Sequence, residues 1–176
     1  VVQTDDPKII SSASKVVLPG VGAFQDSMQG LLQRELIPVL ESIVENRTPL
    51  LGICLGMQLF FEKSSERGQT AGLGFIEGSV EKFSAENLKI TQTGWNQIQI
   101  RQDSPLFHGV TTNAYVYFNH SFYCKPIQPK NILAETNYGQ NYASAVQKGN
   151  LYGVQFHPEK SQGVGIQILE NFVDRC

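Results

Sequence analysis

Short apolar runs, each closed by small or polar residues, organise the first third of the chain. Lys15-Val16-Val17-Leu18 is a β-branched run that stops at Pro19-Gly20, the pattern of a buried parallel strand ending on a loop. Leu36, Val39, Leu40, Ile43 and Val44 then recur at helical spacing, which predicts a helix that tolerates Pro38 only in its first turn. Thr48-Pro49 ends that helix, and Leu50-Leu51-Gly52-Ile53 predicts the next strand. Strand, helix, strand implies a right-handed parallel crossover. Ligands of such sheets gather at the carboxyl ends of strands, where both Gly20-Val21-Gly22 and Cys54 fall.

The pattern changes after Phe75. Ile98-Gln99-Ile100, Tyr115-Val116-Tyr117-Phe118, Ile132-Leu133-Ala134 and Ala143-Ser144-Ala145-Val146 are short runs separated by Gly, Asn and Pro, which predicts strands with partly antiparallel pairing. Leu151–Phe156 reads as a further strand that ends at His157-Pro158-Glu159. A closing helix starts at Ser161 or Gln162, with Ile168, Leu169, Phe172 and Val173 forming its apolar stripe. The expected fold is α/β: a mixed, mostly parallel sheet flanked by helices, with an antiparallel β addition. There is no internal repeat.

Composition narrows the function classes. A chain of 176 residues, 41% hydrophobic, suits one compact domain. The 17% of charged residues is below the roughly 25% usual for soluble domains, which suggests that part of the surface is covered by a partner. A net charge of -2 without a basic patch argues against nucleic acid as a ligand. Three cysteines, Cys54, Cys124 and Cys176, do not form a disulfide framework and fit a reducing cytoplasm. Neither a membrane span nor a signal peptide is visible. Val1-Val2-Gln3 lacks an initiator methionine and reads as the middle of a fold, so the domain is expected to be incomplete at its N-terminus.

The candidate chemistry centres on Gly52-Ile53-Cys54-Leu55-Gly56. A cysteine between glycines, at a strand-to-helix junction, fits a nucleophile elbow, where the crowded turn excludes larger neighbours. Free N–H groups at the start of the next helix would favour a thiolate there. A buried structural thiol is the alternative, and a base elsewhere decides between them. Of His108, His120 and His157, the last follows a strand at the edge where Cys54 should emerge, and Glu159 can reach back to orient its ring. His108 sits in a turn-like context and reads as a surface loop residue. The N–H of Leu55 and the Gly20-Val21-Gly22 loop are possible oxyanion donors, although that loop reads equally well as a plain strand-to-helix turn. No His or Cys pair has metal-ligand spacing and no glycine pattern suits a phosphate, so neither a metal nor a cofactor is expected.

Five segments give the chain a family resemblance: Leu18–Phe24, Gly52–Gln58, Gly94-Trp95-Asn96, Tyr117–Ser121 and Gly153–Ser161. In that order they resemble the class I, or triad, glutamine amidotransferases, and within them the glutaminase subunits of imidazole glycerol phosphate synthases. The resemblance implies a flavodoxin-like three-layer sandwich. It implies Cys54, His157 and Glu159 as the catalytic triad and L-glutamine as the substrate. It assigns substrate and oxyanion contacts to Gly20, Val21, Gly22, Gly52, Leu55, Gln58, Glu66, His120, Ser121 and Phe122. It places Trp95, Asn96, Tyr117 and Lys160 at the interface with, or gate toward, a separate (β/α)₈ synthase subunit that receives the ammonia. Gly-Trp-Asn reads as a turn, and Trp95, the single tryptophan, reads there as an interface anchor rather than a core residue. His120 reads as positional rather than as a second base.

Two features depart from the family. Its usual first strand and following loop have no match in Val1–Asp6, and Thr91-Gln92-Thr93 stands where Pro-His is usual, beside the expected interface. The second departure allows a paralogue that serves a sugar-amination enzyme. A non-catalytic docking subunit and a stand-alone cysteine hydrolase are the remaining readings.

Overall fold

A computed structural model describes residues 1–84 and 89–176. The first half carries α1 (Pro7–Ser11), β1 (Val16–Gly20), α2 (Phe24–Gln33), α3 (Leu36–Glu45), β2 (Leu50–Cys54), α4 (Leu55–Leu59), β3 (Phe61–Ser64), β4 (Thr70–Ala71) and β5 (Ile76–Lys82). The second carries β6 (Gln92–Gln97), β7 (Gln99–Ile100), β8 (Tyr115–His120), β9 (Phe122–Pro126), β10 (Ile132–Asn137), β11 (Asn141–Lys148), β12 (Leu151–Val154) and α5 (Gln162–Arg175).

The main sheet runs β1-β2-β12-β11-β9-β5-β3-β4, with β10 against β11 and β7 against β10. β6 and β8 form a separate antiparallel ribbon. Among the described residues, parallel pairing is confined to β1–β2, β2–β12 and β3–β5, and the remaining pairs are antiparallel. The sheet is therefore mixed as expected, but its antiparallel share is larger than a mostly parallel sheet would have. Connection length explains the difference. From β10 to β12 the strands follow one another through short turns, and such turns join only antiparallel neighbours.

Each face of the sheet buries its own apolar set. Leu51 and Ile53 of β2 pack with Tyr152, Val154 and the α5 residues Ile168 and Phe172. Leu50 faces the other way, against Phe24 and Leu31 of α2 and Leu40 and Ile43 of α3. Alternation along β2 thus serves two helix layers, which is why its apolar run is continuous. The stripe of α5 is narrower than its spacing predicts: Ile168 and Phe172 are buried, but Val173 is 59% exposed. Asn171 takes an inward place instead, and its Nδ2 donates to the carbonyls of Leu106 and His108. His108 itself is exposed, as expected of a surface loop.

Helix α2 carries no sequence expectation of its own. Only Phe24 and Leu31 are buried in it, and Leu32 is exposed, so its apolar period is weak. Gly-Trp-Asn lies in β6 rather than in a turn, paired with β8 through Trp95↔Tyr117. The in–out alternation of Gln92, Thr93, Gly94 and Trp95 is that of a strand with one buried face. Among the described residues, no helix is long and apolar enough to cross a membrane.

Candidate active site

Cys54 ends β2 and begins α4 with φ 53° and ψ −107°, a conformation that L-residues rarely adopt. Neighbouring glycines make that turn possible. A Cβ on Gly56 would run into the carbonyl oxygen of Leu18, and one on Gly52 would lie 2.7 Å from the carbonyl carbon of Gly56. Gly20 closes the same junction from β1, since its Cβ would come within 2.8 Å of the Gly56 nitrogen. The elbow is thus held by backbone packed on backbone, and its strain is kept by the surrounding fold.

The parallel register Gly20↔Cys54 sets the loop after β1 beside the elbow. Together they open a cavity of about 290 Å³ lined by Val21, Gly22, Cys54, Leu55, Gln58, Glu66, His120, Ser121, Phe122, His157 and Lys160, with Thr91 and Asn119 completing the wall. Gly20 and Gly52 pack behind it. Glu159 stands behind His157, where Oε1 lies 2.8 Å from Nδ1 of the ring. That contact leaves Nε2 as the histidine atom free to exchange a proton on the cavity side.

His157 is itself fixed by β8. Its N–H donates to the Tyr117 carbonyl at 2.8 Å, and the Ser161 hydroxyl donates to the His157 carbonyl at 2.6 Å. The same hydroxyl accepts from the Tyr117 N–H at 2.9 Å. The sequence carries no signal for this role of Ser161 beyond its place in a motif. It emerges only once the ribbon is seen lying against the histidine turn.

Burial pushes the Cys54 thiol up to about 11, against the N–H of Leu55 and the amide of Gln155, which pull it down. The expected thiolate bias is therefore overridden. Cys54 is only 7% exposed, and α4 has five residues, too few for its dipole to offset desolvation. A thiol raised in this way would need a base before it could act as a nucleophile.

The other cavity groups are tethered within the protein. Glu66 accepts the first N–H of α2, from Phe24, at 2.7 Å. Gln58 donates to the Phe122 carbonyl at 3.2 Å. Burial lowers the His120 ring to about 4, so it is neutral at physiological pH, and Nδ1 sits 2.7 Å from the Phe122 carbonyl. Nε2 lies 3.4 Å from the Tyr142 hydroxyl, so both ring nitrogens are occupied within the protein, as a positional role requires.

Outside the cavity, the ribbon presents an aromatic face. Trp95 is 46% exposed and meets Tyr117 edge-on with ring centroids 6.2 Å apart. Lys160 lies over the Tyr117 ring at 5.9 Å. Tyr115, read in the sequence only as part of a strand, extends the face and is 57% exposed. Asn96 points elsewhere, donating to the Asn137 carbonyl. Gln92 is not on this face: it is 3% exposed and accepts from the Tyr142 hydroxyl, while only Thr93 of the divergent triplet is exposed. Among the described residues, no group of three or more His, Cys, Asp or Glu side chains is placed to hold a metal ion.

A buried cysteine on a strained elbow, a histidine in the same cavity and a carboxylate behind that histidine are the groups, in the order, that nucleophilic catalysis requires of a nucleophile, a base and an orienter. The family model "Glutamine amidotransferase class-I" matches residues 1–176. The chain is a class I glutamine amidotransferase. It is 45% identical over 169 residues to "Imidazole glycerol phosphate synthase subunit HisH" of Moorella thermoacetica, covering 96% of this chain and 80% of that one. A protein of the same name from Methanococcus maripaludis, numbered HisH 1, is 46% identical over 177 residues, covering 99% and 87%. Among solved structures, a glutamine amidotransferase crystal structure superimposes with a TM-score of 0.72 at 16% identity, covering 97% of this amidotransferase and 85% of that chain. PurLQS from Thermotoga maritima gives 0.68 at 15% identity, covering 90% and 78%. At such low identity these structures bear on the fold alone.

Proposed function

We propose that this amidotransferase hydrolyses glutamine through a cysteinyl thioester and delivers the ammonia to a (β/α)₈ synthase subunit that makes imidazole glycerol phosphate in histidine biosynthesis. The observation that carries the chemistry is the single cavity lined by Cys54 and His157, with Glu159 bonded behind the histidine. In this reading His157 Nε2 takes the thiol proton as Sγ attacks the side-chain amide carbon of glutamine. The resulting oxyanion is met by the Leu55 N–H and by the loop of Gly20, Val21 and Gly22. Collapse expels ammonia with the proton from His157 and leaves the glutamyl thioester. Water, deprotonated by the same ring, then releases glutamate and restores the thiol. Glu66 provides the negative charge suited to the substrate ammonium, and Gln58 with the backbone at Gly22, His120, Ser121 and Phe122 holds the amino-acid end. No cofactor enters this cycle.

The choice of synthase rests on the 45% identical relatives and on the ribbon. Trp95, Tyr115 and Tyr117, with Lys160 over the Tyr117 ring, form the patch on which the partner docks. The divergent Thr91-Gln92-Thr93 weighs little toward a paralogue, because Gln92 turns inward. Such a glutaminase works in the reducing cytoplasm, in line with its free cysteines.

Adding the purified (β/α)₈ subunit with its ribotide ligand is expected to raise the glutaminase kcat at least about tenfold. Trp95→Ala should weaken binding by about 2 kcal/mol, roughly 30-fold in Kd, while leaving partner-free hydrolysis unchanged. Titration calorimetry and a coupled glutamate assay read both quantities. An unchanged Kd would remove the ribbon from the interface, and no activation would remove the synthase.

A further inference from the structure

One buried side chain contacts the nucleophile without belonging to the triad. β12 pairs with β2 through Val154↔Ile53, so the next residue, Gln155, lies abreast of Cys54. Its backbone is pinned by a 2.9 Å bond from its N–H to the Ser144 carbonyl, and the residue is 0% exposed. Nε2 of Gln155 donates to Cys54 Sγ at 3.6 Å, while Oε1 accepts from Gln58 Nε2 at 3.1 Å. Gln58 is part of the cavity wall. The three residues thus form a directed chain from the wall to the sulfur.

Direction matters here. An amide can face sulfur with a donor or with an acceptor, and only the donor stabilises developing negative charge. Gln58 fixes that choice, because its own N–H needs the Gln155 oxygen. A flip of Gln155 would set its amide donors against those of Gln58, and both side chains are buried.

We propose that Gln155 is a positioning residue for the nucleophile: its amide nitrogen holds Sγ, and Gln58 keeps that nitrogen turned toward the sulfur, so that contacts made at the cavity wall are transmitted to Cys54. The link from wall to substrate rests on the glutaminase reading, whereas the hold on the sulfur does not. Burial raises the thiol, and the Gln155 N–H is among the groups that oppose it. The other titratable groups around the sulfur stay in place when Gln155 is changed. They are His157 and Lys160 in the cavity, Glu159 behind the histidine, Glu66 and His120 in the wall, Tyr142 on β11 and Cys124 on β9.

The test is alkylation of Cys54 by iodoacetamide in the full chain, in a Cys176→Ser background, with peptide mass spectrometry as the readout. The rate at a fixed pH of about 8.5 follows the thiolate fraction. Gln155→Leu is expected to slow alkylation roughly tenfold, and Gln155→Glu, nearly the same shape but acceptor-only, at least as much. Gln58→Leu should slow it several-fold when Gln155 is present and leave it unchanged in the Gln155→Leu background, a non-additive cycle. With glutamine, Gln155→Leu should lower kcat while KM stays within about twofold. If Gln155→Leu fails to fold, Gln155→Glu decides by the same rates. Unchanged alkylation in folded Gln155 variants, or additive effects of the two glutamines, would overturn the proposal. Because iodoacetamide needs no glutamine, a chain that hydrolyses none would still report on Gln155.

Discussion

Cys54→Ala is expected to bring glutamine hydrolysis down to the detection floor, a loss of at least about 10⁴-fold, while the protein stays folded. Nothing else in the cavity can substitute for the sulfur. Cys124 is fully buried on β9, and burial holds its thiol well above its ordinary range. Cys176 lies outside the cavity, with its thiol raised by burial. The substitution is mild for the fold, because the elbow at φ 53° already carries a residue with a Cβ, and alanine adds no atom. His157→Ala should lose activity to a similar degree for a different reason. With the thiol pushed up to about 11, very little thiolate forms at neutral pH unless a base removes the proton during attack. The two losses should therefore not add: a Cys54→Ala/His157→Ala double variant should be no worse than either single one. A steady-state assay that shows hydrolysis persisting in Cys54→Ala would remove the nucleophile from the account.

The largest structural effect is expected at Gly56. A methyl group there meets the Leu18 carbonyl oxygen, which belongs to a β1 residue paired to β2 and cannot retreat without breaking the ladder. Gly56→Ala should destabilise the protein by at least about 3 kcal/mol, or leave it insoluble. Gly163 in α5 supplies the contrast. A Cβ there meets nothing within 4 Å, and Gly163→Ala should be neutral or stabilise by up to about 1 kcal/mol. Chemical denaturation of both variants separates a general intolerance of substitution from crowding at the elbow. Equal stabilities would mean that the close approach of α4 to β1 is not what holds the turn.

These contrasts show which parts of the molecule were legible in its sequence. β1, β2, α3 and β12 were readable because each is a local apolar pattern ended by a breaker, and the motif positions followed from where those strands end. The antiparallel share of the sheet was underestimated because strand direction depends on which neighbours a short turn can reach. Helix α2 was unreadable, since two buried residues in ten leave too weak a period. The place of the cysteine at a strand-to-helix turn was legible, whereas the extent of its burial, which raises the thiol against the helix N-terminus, depends on packing that no local window contains. Gln155 and Ser161 escaped for a related reason. Each acts through a register, β12 beside β2 or β8 beside the histidine turn, that no local window contains.

Covalent labelling with a glutamine analogue that carries an electrophile at the side-chain amide position addresses the central claim directly. Such a reagent needs a thiol that attacks that carbon and a cavity that holds the amino-acid end at the same time. The account predicts one adduct per chain, located at Cys54 by peptide mass spectrometry, slowed by excess L-glutamine and absent in His157→Ala over the same interval. An adduct on Cys124 or Cys176, or none at Cys54 while iodoacetamide still reaches it, would contradict a glutamine-hydrolysing triad.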